Sequence, residues 1–116
     1  MNSINITGRL TTDPELRALP SGDAVCKLRL AVEGLAPSRG TGYVNVSCFG
    51  AGGQAAASVL SKGWLVAVDG RLEYREWESG DGSRRHDYDV VGKVEFLAAP
   101  RANGADDRVP PERAAA

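Results

Sequence analysis

Residues 43–70 read YVNVSCFGAGGQAAASVLSKGWLVAVDG, and two folds can be written in these letters. The first is a strand, a G-x-G-x-x-A turn from Gly50 to Ala55, a helix, and a second strand ending near Asp69. That order is a dinucleotide-binding fingerprint, in which glycines let the backbone approach a pyrophosphate and a later carboxylate holds a ribose. The second is plainer: an alternating strand, a short helix that the glycines allow to plug a barrel, and another strand. Residues 43–49 decide between them. A parallel strand covered by helices on both faces is apolar almost throughout. Here Val44, Val46 and Cys48 alternate with Tyr43, Asn45, Ser47 and Phe49, so one face meets solvent or a ligand. The upstream residues also hold two strand patterns and no helix, where the fingerprint should open its fold. A nicotinamide-linked enzyme is therefore the weakest reading, and no cofactor is expected.

Working outward, residues 3–10 alternate, with Ile4, Ile6 and Leu10 on one side and Asn5, Thr7 and Arg9 on the other. Residues 24–33 do the same, with Cys26, Leu28, Leu30 and Val32 facing inward. Residues 34–42 read as a loop. Ala-rich 53–62 is the one good helix pattern, with Gly63 as its C-terminal stop. A long strand follows over 64–77 with a bend at Gly70, then a hairpin turn at 78–82 and a fifth strand over 84–97. Three strands, one helix and two strands predict an all-β fold: a five-stranded OB-fold Greek-key barrel with one short helix between strands 3 and 4. From Pro100 the composition turns to Pro, Ala and balanced charge, which predicts a domain over 1–99 and a short disordered tail over 100–116.

The chain has 116 residues and a net charge of −1, enough for one domain and without a charge excess that announces a partner. Eleven of its fourteen basic residues are Arg, which binds planar groups and phosphate in a way Lys does not. No apolar run is long enough to span a membrane and no signal peptide is visible, so a cytoplasmic protein is expected. Cys26 and Cys48 read as small buried thiols rather than a disulfide. With His86 as the single His, the ligands for a tetrahedral zinc site are missing and no metal is expected. No nucleophile–base or acid–base pairing is apparent, and no catalysis is expected.

The non-core faces carry the functional signal. Tyr43 and Phe49 share one face of their strand, and Arg71, Glu73, Arg75 and Trp77 share one face of the next. Arg9, Lys27 and Arg29 lie on non-core faces too. Flat rings between guanidinium groups suit single-stranded nucleic acid, whose bases stack while its phosphates follow the cations. The same letters also describe an ordinary solvated sheet with cross-strand aromatic pairs.

Five segments fall in one order and spacing: GRLTTDPELRALPSG (8–22), AVCKLRLAV (24–32), YVNVSCFG (43–50), SKGWLVAVDGRLEYREW (61–77) and DGSRRHDYDVV (81–91). Together they resemble the bacterial single-stranded DNA-binding protein family over residues 2–97. The resemblance implies an OB barrel, a homotetramer and nucleoid-associated binding of single-stranded DNA in replication, recombination or repair. It implies that Tyr43, Phe49 and Trp77 stack on bases, and that Arg17, Lys62, Arg75 and Arg85 meet the DNA backbone. Arg9 and Arg71 are added from their exposed positions alone. Some departures qualify it. The 34–42 loop has no aromatic residue, Glu73 stands where a cation is frequent, and Ala51 replaces a frequent Lys. Residues 114–116 are all Ala and lack the acidic, hydrophobic-tipped end through which the family recruits repair enzymes. These features point to an auxiliary or paralogous member that coats DNA. They also keep a second reading open, an OB-fold protein-interaction module with weakened DNA binding. Trp64 is expected to pack against the helix or a neighbouring subunit.

Overall fold

The computed structural model describes residues 1–38 and 40–100. The expected tail over 100–116 lies, from residue 101 on, outside the described residues. Six strands and one helix follow in the order β1 (Ile4–Leu10), β2 (Glu15–Ala18), β3 (Ala24–Glu33), β4 (Thr41–Phe49), α1 (Gly50–Val59), β5 (Leu65–Glu78) and β6 (Arg84–Ala98). The sheet runs β1-β5-β6-β4-β3-β2, and a β1–β3 pairing closes it into the expected OB barrel. All pairings are antiparallel except β4–β6, which meet in parallel over Val46–Val90 and Ser47–Val91 alone. Alternation places Leu28, Leu30, Val46, Cys48, Val66, Val68 and Val90 inside, as the period of two requires. Burial pushes the Cys26 and Cys48 thiols up; the two residues face each other across β3 and β4.

Two expectations change. The sixth strand is β2, ELRA, which pairs with Ala24–Lys27 of β3 and is exposed at every residue. With it, the helix follows the fourth strand rather than the third. The helix also begins three residues earlier than 53–62 and ends at Val59. Its first turn packs on the sheet so closely that a Cβ at Gly53 would overlap the Cys48 carbonyl. It has no side-chain N-cap and no acidic residue in its first turn, so packing of Ala56 and Leu60 into the core holds it. Gly63, at φ 95°, does not cap the helix: it shapes the Ser61–Trp64 turn into β5, and its N–H donates to the Leu10 carbonyl (2.9 Å).

The β5–β6 ribbon is barrel wall at one end and free arm at the other. Val66 and Val68 are buried, whereas Arg71 through Glu78 are all exposed. The change occurs where Gly70 faces Gly92. A Cβ on Gly70 would overlap the Val91 carbonyl, and one on Gly92 the Asp69 carbonyl. The two backbones meet at a distance that only paired glycines permit. Gly92→Ala should cost about 1–3 kcal/mol by overpacking, a fall in Tm of roughly 5–20 °C for a domain of this size. Gly80→Ala, whose Cβ meets open space, is the control; equal melting curves for the two variants would contradict this account of the bend.

Candidate nucleic-acid interface

Register carries one outer surface across five strands. Arg17 of β2 lies beside Val25 of β3, which pairs with Phe49 of β4. Lys27 pairs with Ser47, Arg29 with Asn45, and Ala31 with Tyr43. The parallel contact sets Ser47 beside Val91, and along the arm Arg71, Glu73, Arg75 and Trp77 pair with Val91, Asp89, Asp87 and Arg85. Since residues two apart share a face, these side chains form one continuous surface from β2 to the arm. A shallow groove of about 220 Å³ lined by Arg17, Lys27, Asn45, Arg75, Asp87 and Asp89 runs over it.

The three expected stacking rings all lie on this surface and are exposed: Tyr43 at 56%, Phe49 at 49% and Trp77 at 42%. Two carry a guanidinium on one side. Arg29 sits over Tyr43 at 4.7 Å from the ring centre, and Arg75 over Trp77 at 4.8 Å. Such a pair fixes the ring and keeps positive charge beside it, while the opposite ring face stays available to a base.

The electrostatics are more balanced than the arginine count suggests. The surface gathers Arg17, Lys27, Arg29, Arg71, Arg75 and Arg85 against Glu15, Glu73, Asp87 and Asp89. Arg17 is held by Glu15 (3.1 Å), which raises its pKa, Arg71 by Glu73 (2.7 Å) and Arg75 by Asp87 (3.3 Å). Solvent screens these exposed pairs, and they contribute little to stability. Their consequence is that a phosphate must compete for the guanidinium.

Sequence reading missed one element of this surface. Ser47 is buried, not open to solvent, and its hydroxyl donates to Asp89 Oδ2 (3.0 Å) while accepting from Lys27 Nζ (2.8 Å). Lys27 also reaches Asp89 at 3.5 Å, so this cation joins β3, β4 and β6 instead of standing free. No local pattern signals the network, because it follows from the two-residue parallel contact between strands distant in sequence.

Other expected residues fall elsewhere. Arg9 lies across Ala31 from Tyr43, at the rim where β1 closes on β3, and its guanidinium donates to the Gly63 carbonyl (3.0 Å). Lys62 sits exposed in the turn after the helix, where its backbone N–H donates to Asp13 (2.9 Å). Trp64 packs edge-on against Phe96 of β6, with ring centres 6.2 Å apart, and against the buried cluster that contains Ala56 and Leu60.

The arm is ordered by its own side chains. Asp81 accepts from the Ser79 and Ser83 hydroxyls and the Ser83 N–H, which hold its carboxyl down at about 2. On the reverse face Tyr74 pairs with Tyr88 (ring centres 5.0 Å apart) and with His86 (5.9 Å). The Glu76 carboxylate accepts the Tyr74 hydroxyl and pushes that phenol up to about 12. Among the described residues there is no cluster of metal-ligating side chains and no helix long and apolar enough to cross a membrane.

Residues 1–97 match the model of the single-strand binding protein family. The chain is 36% identical over 102 residues to single-stranded DNA-binding protein 2 of Clostridium acetobutylicum, an alignment covering 84% of this chain and 77% of the relative. It is 38% identical over 113 residues to the single-stranded DNA-binding protein of Bacillus cereus, covering 93% and 66%. Against single-stranded DNA-binding protein 2 of Staphylococcus aureus it is 39% identical over 102 residues, covering 84% and 72%. The chain thus spans between 66% and 77% of the length of these relatives.

Proposed function

The chain belongs to the single-strand binding protein family, and we propose that it binds single-stranded DNA, with little preference for sequence, as a non-catalytic coat over exposed strands. The observation that carries this reading is the placement of Tyr43, Phe49 and Trp77 on one surface with guanidinium groups against two of the rings. A single strand lays its bases on these rings, and stacking tolerates any base. Arg17, Arg71, Arg75 and Arg85 meet its phosphates, with Arg9 at the rim. Lys62, exposed in the turn after the helix, is a further cation for the backbone beyond the strand surface. Duplex DNA buries its bases in its own stack and cannot use the rings. Protection of single strands in replication, recombination or repair is the role that fits such a coat.

A protein-interaction module with weakened DNA binding is the second reading. The four carboxylates on the surface and the Tyr74–His86–Tyr88 cluster behind the arm favour it.

Trp77→Ala separates the two. Loss of one stacked base is worth about 1–3 kcal/mol, so the affinity of labelled oligo-dT, read by anisotropy, should fall roughly 5- to 150-fold. An unchanged affinity would favour the second reading. The carboxylates make a further prediction, that binding is only moderately salt-dependent. Glu73→Gln frees Arg71 for a phosphate and should steepen the slope of log K against log salt by roughly 0.7. An unchanged slope would show that Arg71 is not on the DNA path.

A further inference from the structure

The β4–β6 contact spans only two residue pairs, and beyond it the strands splay. An apolar cleft of about 340 Å³ opens there, within the roughly 300–1,000 Å³ of small-molecule sites. Tyr43 and Tyr88 line it, Leu72 and Val90 supply apolar wall, and Asn45 and Asp89 are its polar groups. Tyr43 belongs to the DNA surface as well, so the cleft continues the proposed path. Asp89 accepts Ser47 and Lys27 on one oxygen, Oδ2; among the described residues its Oδ1 has no hydrogen-bond partner.

We propose that this cleft takes one nucleobase of the bound strand and favours guanine. The proposal rests on the reading of the surface as one for single-stranded DNA. A base turned out of the stack is held by flat side chains and read by hydrogen bonds along its pairing edge. Tyr43 and Tyr88 supply the flat groups. Asp89 Oδ1 and the Asn45 side-chain carbonyl supply acceptors, one of them charged. Guanine is the base whose pairing edge offers adjacent donors, its ring N–H and its exocyclic amine. Thymine sets one N–H between two carbonyl oxygens, so a carboxylate that reaches the N–H faces a carbonyl on each side. Bases elsewhere on the surface remain unread, so the strand slides until a guanine reaches the cleft.

The test uses oligo-dT carrying a single dG, a single deoxyinosine, or no guest. Deoxyinosine keeps the purine ring and the ring N–H but lacks the exocyclic amine. The dG oligomer should bind roughly 10- to 150-fold tighter than the deoxyinosine oligomer, the scale of one hydrogen bond to a charged acceptor. In Asp89→Asn that ratio should fall to one. Should Asp89→Asn fail to fold without its Lys27 and Ser47 partners, Tyr88→Ala, at a residue 55% exposed, should lower the ratio as well. Equal gains from dG and deoxyinosine would mean purine stacking alone and overturn the assignment. Equal binding of all three oligomers, still weakened by Trp77→Ala, would overturn the cleft and leave the stacking surface standing. No binding of any oligomer would overturn both.

Discussion

The close approach of Gly70 and Gly92 is the constraint on which the rest depends. Strands β5 and β6 are the two longest, and both outlast the barrel wall. The glycine pair lets the two backbones press together and carry the ribbon outward. Because the turn occurs without loss of register, side chains that leave the barrel on its outer face remain on that face along the arm. Tyr43 and Trp77 lie far apart in sequence and on different parts of the fold, and they still belong to one surface.

That surface balances two demands. An exposed aromatic ring on a strand is an invitation to unwanted association, and a guanidinium over Tyr43 and another over Trp77 keep one side of those two rings charged. Arginine at such density would bind any polyanion without discrimination, and the neighbouring Glu15, Glu73 and Asp87 hold part of that charge in ion pairs. The result favours ligands that bring flat groups as well as phosphates. The Lys27–Ser47–Asp89 network serves a different end. It secures the short parallel contact that completes the barrel, and it leaves one carboxylate oxygen for the cleft beside it.

Much of this was legible in the letters, and the failures have physical causes. Strict alternation in 24–33 and 43–49 gave the inward and outward faces, because a half-buried strand must repeat every two residues. Strand β2 carried no such signal, since ELRA is exposed on both faces and lies between Pro14 and Pro20. Gly63 has the letters of a helix stop, whereas a buried Leu60 ends the helix and Gly63 serves the next turn. Alternation alone puts Ser47 on an open face, because Asp89, which covers it, arrives from the last strand. Likewise the Trp64–Phe96 contact joins residues with no local relation. Local patterns gave the faces; the register between distant strands decided what each face holds.

The most direct measurement replaces Trp64 by Phe, leaving Trp77 as the one tryptophan, and follows its emission while oligo-dT is added at low salt, with anisotropy of a labelled strand read in parallel and duplex DNA as control. If the strand runs from the barrel onto the arm, emission is quenched in step with binding by oligo-dT and unaffected by the duplex. Binding seen by anisotropy with Trp77 emission unchanged would contradict the account, because the strand would then pass over the barrel without reaching the arm.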